Sequence, residues 1–187
     1  IQPEEFDPVK FDSFSRLFIY YNERVIEGTV TQDSGAQLRD GIKALATQGA
    51  CKESTWLYSS ANEFLQPSPA AYAEAANHKI SLYLRLNNIG EMKHCLADGY
   101  PFVFGFTVYS SFESNHVAQT GIVPMPSKND ELQGGHAVCA VGYDDTKKVI
   151  IVRNSWGPDW GDKGYFYLPY AYISNPNLAD DFWTIRK

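Results

Sequence analysis

Between Gly134 and Gly157 the chain is patterned in a way that admits few structures. Gly134-Gly135-His136-Ala137-Val138-Cys139-Ala140-Val141-Gly142-Tyr143 climbs to a polar tip at Asp144-Asp145-Thr146, and Lys148-Val149-Ile150-Ile151-Val152-Arg153-Asn154-Ser155-Trp156-Gly157 returns from it. Two apolar, β-branched runs either side of a short polar tip predict a β-hairpin. Counted outward from Asp145, His136 and Asn154 are equidistant, so a symmetric hairpin opposes them directly, with Cβ atoms about 5 Å apart. An asparagine at that spacing can hold one nitrogen of an imidazole, which is the base-plus-orienter half of a nucleophilic catalytic site. Trp156, two residues past Asn154, shares its face if the strand continues, and can shield that bond from water.

The rest of the composition narrows the class. A chain of 187 residues with 44% hydrophobic side chains can bury a sizeable core in one domain or two small packed lobes. Its net charge of −6 offers no basic face, so no nucleic acid is expected as a partner. No apolar run reaches membrane-spanning length, so no membrane is expected either. Three cysteines, Cys51, Cys95 and Cys139, form no C-x-x-C pair and no Cys-rich zinc site. No cofactor or metal is expected. The chain opens at Ile1 without a secretory apolar segment, which leaves its compartment undetermined.

Along the chain, residues 1–12 read as an extended acidic lead-in. Leu17, Tyr20, Tyr21 and Arg24 fall at helical spacing within 15–24. A second helix is expected over 34–49, capped by Asp33 or Ser34 and stopped at Gly49. Loop follows to Ser68, then a short alanine-rich helix over 69–77. Ile80, Leu82, Leu84 and Leu86 alternate with polar or aromatic neighbours, as in a half-buried strand, and residues 89–98 form a helix with Ile89, Met92, Cys95 and Leu96 inward. Residues 102–108, apolar on both faces, predict a central strand. A long polar excursion covers 109–133, and two further strands are expected at 165–168 and 182–186.

The block G-G-H-A-V-C-A-V-G-Y-D, followed by R-N-S-W-G-P-D-W-G-D-K-G-Y-F with Trp160, Gly161, Gly164, Tyr165 and Phe166 in order, closely resembles the C-terminal β-barrel domain of papain-like cysteine peptidases. It is most similar to bacterial-type members. The resemblance implies an α+β, two-lobed fold: a partial helical left lobe over 1–79 and an antiparallel β-barrel right lobe over 80–187 that carries the catalytic His136 and Asn154. It implies supporting roles for Trp156 and for Gly135, which with Gly134 removes side chains where substrate approaches. Asp33-Ser34-Gly35-Ala36, entering a helix, resembles the family's substrate-lining turn, and Pro101 to Thr107 the strand beside a substrate pocket. Substrate contacts are thus expected at Ser34, Gly35, Ala36, Gly105 and Ala137, although a plain helix-capping turn explains Ser34 to Ala36 equally well. The resemblance leans towards a secreted or endolysosomal setting.

One departure is large. The family's nucleophile lies in a Q-x-x-x-C-x-S-C-W-type segment opening a long helix, and no such segment is present in these residues. Cys139, at an odd offset from His136 on a strand, points to the other face and reads as core. Cys95 reads as core on its helix, and Cys51 as a partly exposed loop residue. His78, His94 and His116 show no ligand spacing. The expected function is a cysteine endopeptidase working through a Cys-His-Asn site. Its partners would be a peptide or protein substrate and an N-terminal light chain or segment that carries the nucleophilic cysteine, so the 187 residues alone would be inactive. The rival expectations are an inactive papain-like pseudoenzyme or peptide-binding module, and a structural fragment.

Overall fold

Ser15 opens the first helix with its own side chain, its Oγ accepting from the Phe18 amide at 3.1 Å, as an N-cap serine does. Helix α1 (Arg16–Glu27) ends at Gly28, whose φ of 74° is the left-handed C-terminal stop. The computed structural model describes residues 13–186, so the lead-in expected over 1–12 lies outside the described residues. Helix α2 (Leu38–Thr47) begins later than the capping pattern predicts, and its N-cap is Gln37, which makes no side-chain cap bond. Asp33 is otherwise engaged: its Oδ1 accepts from the Tyr20 phenol at 2.6 Å, which holds residues 33–36 in an exposed turn ahead of the helix. Helix α3 (Pro69–Ala75), capped by Ser68 with proline in its first turn, runs into a 3-10 turn at Ala76–His78.

The described residues divide into two compact units, residues 13–82 with 186, and residues 83–185. The first contains α1 to α3 and a small core of Phe18, Cys51, Ala71 and Ala75 with Trp56 and Tyr72 packed on it. Arg24 is fully buried there. Its Nη1 and Nη2 donate to the carbonyls of Val30, Gln32 and Glu63 and the guanidinium lies 4.1 Å from the Tyr20 ring centroid, so most of a buried charge is matched by acceptors and an aromatic face, while Nε has no partner among the described residues.

The second unit is organised by a six-stranded antiparallel sheet in the order β1-β6-β2-β3-β4-β5. Its strands are β1 (Leu82–Arg85), β2 (Phe102–Tyr109), β3 (Leu132–Asp144), β4 (Val149–Arg153), β5 (Tyr165–Pro169) and β6 (Ala179–Arg186). Strand β2 alternates buried and half-buried along its whole length, so Phe102, Phe104, Phe106 and Val108 supply one face to the core beside Val138, Ala140, Ile150, Val152, Phe166 and Leu168. Helix α4 (Ile89–Ala97) packs Met92 and Cys95 against that face.

Three expectations need correction in this unit. Strand β1 is exposed at all four positions and not half-buried; it is the edge strand, and Leu86, just beyond it, is the residue that enters the core. The excursion over 109–133 holds a helix, α5 (Asn115–Thr120), capped by Ser114, and a short helix α6 (Tyr170–Ile173) separates β5 from β6. The hairpin is not symmetric about Asp145: Asp144 pairs with Val149 and Tyr143 with Ile150, then a bulge at Val141 shifts the register so that Cys139 pairs with Arg153.

Candidate active site

That register decides how His136 and Asn154 meet. Continuing the Cys139–Arg153 pairing sets Asn154 opposite Val138, so His136 is its diagonal neighbour and not its directly opposed one. Diagonal neighbours are within reach of long side chains, and His136 Nε2 lies 2.9 Å from Asn154 Oδ1. Strand β4 stops at Arg153, and the Asn154 amide leaves the ladder to donate to the Gly164 carbonyl at 2.9 Å. Trp156 therefore reaches the imidazole from a bend after the strand rather than along it.

The orientation of the asparagine is fixed by a second donor. Asn154 Oδ1 also accepts from the Ser155 amide at 2.8 Å, so its oxygen faces the histidine and Nε2 is the donor. In the neutral ring the hydrogen then sits on Nε2, and Nδ1 is left as the acceptor. Asn154 is 8% exposed, and its Nδ2 has no hydrogen-bond partner among the described residues. A buried donor left unmatched costs about 1–3 kcal/mol.

The ring itself is clamped by aromatics. Trp156 stacks on it with centroids 5.3 Å apart and planes 23° from parallel, while Phe106, its register partner on β2, approaches to 5.8 Å. Behind Trp156 stand Phe112 at 5.6 Å and Trp160 at 5.0 Å, and Phe112 also meets Phe166 at 5.2 Å. Phe112 is a site residue the sequence hid, since it lies in the stretch read as a polar excursion. An apolar strand running to Tyr109 and an aromatic three residues past it were the available signal. The Trp160 loop needs its glycine: Gly161 has a φ of 64°, and a Cβ there would overlap the Tyr165 carbonyl.

Gly135, opposite Thr107, is open on the side where a Cβ would project. Gly134, with a φ of 146°, follows a bulge at Gln133 that shifts the register between Val108 and Tyr109. Gly105 and Ala137 are direct partners across β2 and β3, one row from the Phe106–His136 row. The structure thus brings His136, Asn154, Trp156, Gly135, Gly105 and Ala137 together in the second unit. Ser34, Gly35 and Ala36 lie in the first unit, all exposed. Gly35, with a φ of 71°, donates its N–H to the Tyr20 hydroxyl at 3.1 Å.

None of the three cysteines has the setting of a nucleophile. Cys51 is fully buried rather than partly exposed, and burial, then the charge of Glu74, pushes its thiol up to about 11. Cys95 is in the core, with its Sγ 3.4 Å from the Tyr100 carbonyl. Cys139 is half-buried and not a core residue. It points to the face away from His136, and burial raises its pKa against the pull of Arg153. A reactive thiol needs the opposite, a cationic and partly open setting that favours thiolate. No group of three His, Cys, Asp or Glu side chains among the described residues could hold a metal ion.

Comparison with known proteins identifies the family and the fold. The family model described as papain family cysteine protease matches residues 15–181. An uncharacterized peptidase C1-like protein of Acanthamoeba polyphaga mimivirus is 46% identical over 182 residues, covering 92% of this chain and 58% of that protein. Cysteine proteinase 2 of Entamoeba histolytica is 34% identical over 125 residues, 64% of this chain and 37% of that protein. This chain thus spans little more than half the length of one relative and less of the other. Xylellain, a cysteine protease from Xylella fastidiosa, superposes with a TM-score of 0.88 at 49% identity, covering 93% of this chain and 70% of that chain. A Carica candamarcensis cysteine protease shares the fold at a TM-score of 0.64 and 20% identity. With the family model matching residues 15–181 and the helices and antiparallel sheet superposing on a solved member, the chain belongs to the papain family of cysteine proteases.

Proposed function

We propose that this chain is part of a cysteine endopeptidase that cleaves peptide bonds through a Cys-His-Asn site, with the nucleophilic cysteine supplied by residues outside these 187. The observation that carries this reading is the His136 Nε2–Asn154 Oδ1 contact at 2.9 Å. It leaves Nδ1 as the ring nitrogen for proton transfer, next to a strand edge that Gly135 keeps open.

In the reaction the thiolate attacks the scissile carbonyl carbon, whose oxygen takes up the electron pair. The His136 imidazolium gives its Nδ1 proton to the departing amine, and an acyl-thioester remains. Water then adds to the thioester, losing a proton to Nδ1, and the thiolate leaves. Asn154 holds the ring through both transfers, and Trp156 covers one face and keeps water from the hydrogen bond. The unmatched Asn154 Nδ2 supports the same reading, since an acceptor from the completing chain would satisfy it. The three cysteines present are poor alternatives for the reasons of burial and facing given above.

The test is labelling with a thiol-directed epoxide. The full-length gene product should be labelled at a cysteine outside these residues and should hydrolyse a fluorogenic peptide, while the 187-residue chain stays unlabelled. Labelling of the isolated chain at Cys51 would sink this version. Peptide binding by the full-length product without turnover would replace it with an inactive papain-like peptide-binding module.

A further inference from the structure

Within the first unit, α1 and the loop 58–63 enclose a cavity of about 360 Å³ that the catalytic reading does not use. Its walls include Arg16, Leu17, Tyr20, Asp33, Tyr58 and Glu63. Leu17 is 7% exposed and makes an apolar floor, while Tyr58, at 61% exposed, stands as an open aromatic wall. Arg16 is the one cation lining the cavity, and it is already engaged: its Nε lies 3.6 Å from Glu53 and its guanidinium 4.2 Å from the Tyr58 centroid. Arg24 lies behind the Tyr20 ring, buried and bonded to three carbonyls.

The remaining charge is negative. Glu63 has no ion-pair or side-chain hydrogen-bond partner among the described residues; only its backbone is used, the carbonyl accepting from Arg24 and the N–H donating to the Ser60 carbonyl at 3.4 Å. Asp33 accepts the Tyr20 phenol through Oδ1, and the same phenol oxygen accepts the Gly35 N–H. The cavity is therefore joined by one hydroxyl to the Ser34–Ala36 turn. Two carboxylates, an open aromatic ring and an apolar floor are what a long side chain with a cationic head requires.

We infer that this cavity is a subsite for a lysine or arginine side chain of the peptide substrate, entered from the Ser34–Ala36 turn. The inference rests on the peptidase reading of the Ser34–Ala36 turn. An extended peptide lying along that turn places its side chains alternately, about 3.3 Å of chain per residue, so a residue beyond the turn reaches the cavity. Glu63 meets the ammonium or guanidinium, Tyr58 covers the stem, and Asp33 adds a second acceptor without leaving Tyr20.

Two measurements on the full-length protein test this. In a positional-scanning fluorogenic library, one substrate position should favour Lys or Arg over Glu by about five- to ten-fold in kcat/KM, carried by KM with kcat unchanged. Glu63→Gln should reduce that preference and Glu63→Lys should reverse it; Glu63 supplies only its backbone to the fold, so both variants should keep the wild-type melting curve. Independently of turnover, fluorescence anisotropy should show a labelled Lys-containing peptide binding more tightly than its Glu counterpart, with the difference lost in Glu63→Lys. Equal binding of the two peptides, or a difference that survives Glu63→Lys, overturns the subsite whether or not the protein is active. Glu63-dependent binding with no hydrolysis overturns the peptidase reading and leaves the subsite standing.

Discussion

His136 is gripped from several directions: Asn154 bonds its Nε2, Trp156 stacks on one face and Phe106 stands in register beneath it. Ser34, Gly35 and Ala36 are held by much less. Their turn hangs from the Tyr20 hydroxyl at one end and from Glu27, whose Oε1 accepts the Gln37 N–H at 2.8 Å, at the other. The first arrangement sits on paired strands over a fully packed aromatic core; the second is an exposed loop tied to one helix. A proton-transfer residue has to be held within a fraction of an ångström of its partners. A surface that receives an extended peptide can be a turn whose position is set by a few hydrogen bonds. The difference implies that damage at the corner should appear in kcat, and damage at the turn in KM.

The largest effect should follow loss of the base. In the full-length protein, His136→Ala should lower kcat/KM by about 10³-fold or more, as removal of a catalytic triad member does, with peptide binding retained. Asn154→Ala should cost about ten- to hundred-fold, because it frees the ring to rotate without removing the proton acceptor. Fluorogenic hydrolysis reads both, and a His136→Ala protein as active as wild type would remove the corner from the chemistry altogether. Trp156→Ala should come next, with kcat down about ten-fold and KM little changed, since the stacked ring both orients the imidazole and excludes water. If Trp156→Ala instead raised KM alone, the clamp would be a substrate wall and the contrast between the two regions would blur.

A smaller effect is expected at the turn. Tyr20→Phe removes the oxygen that joins Asp33 to Gly35, and an ordinary hydrogen bond contributes about 1 kcal/mol. KM should rise about three- to five-fold with kcat unchanged in steady-state kinetics. A kcat defect in Tyr20→Phe would show that the turn, too, bears on the chemistry.

The two regions were also unequally legible. The corner could be read because motif and spacing converge on a few residues, and even a wrong register left His136 and Asn154 in contact. The error was physical: the bulge at Val141 and the long tip at Asp145–Lys148 both shift the pairing, and neither has a sequence signature as plain as alternation. Phe112 was invisible for a different reason, because Tyr109 and Phe112, two aromatics opening a polar stretch, are too few to carry a period. At the turn, Asp33 and Ser34 have the composition of an N-cap, and only a tertiary partner, Tyr20, diverts Asp33 from that role. Cys51 likewise reads as a loop residue until Phe18, Ala71 and Ala75 close over it. Burial of β1 failed because alternation marks a strand that has a core to face, and an edge strand has little.

The smallest expected effect concerns the packing beneath the turn. Glu23 on α1 presses against Gly41 of α2. Burial, then the charges of Glu27 and Asp40, raise its pKa to about 7, against a weaker pull from Arg24. Asp40 is itself paired with Lys43 at 2.6 Å, so Lys43 does not relieve Glu23. The folded-state value lies above the ordinary carboxylate value of 4.5. The stability of the protonated form is therefore fully present below that value and is lost as pH rises towards 7. Wild type should lose on the order of 1 kcal/mol from this group between acid and mildly alkaline pH, the figure being reduced for partial solvent screening. Glu23→Gln cannot ionise, so its urea midpoint should fall less over the same interval, and KM should become less pH-dependent while the pH dependence of kcat stays that of wild type. Identical pH slopes in the two proteins would show that the α1–α2 contact tolerates the charge, and that the turn is no more sensitive to pH than the corner.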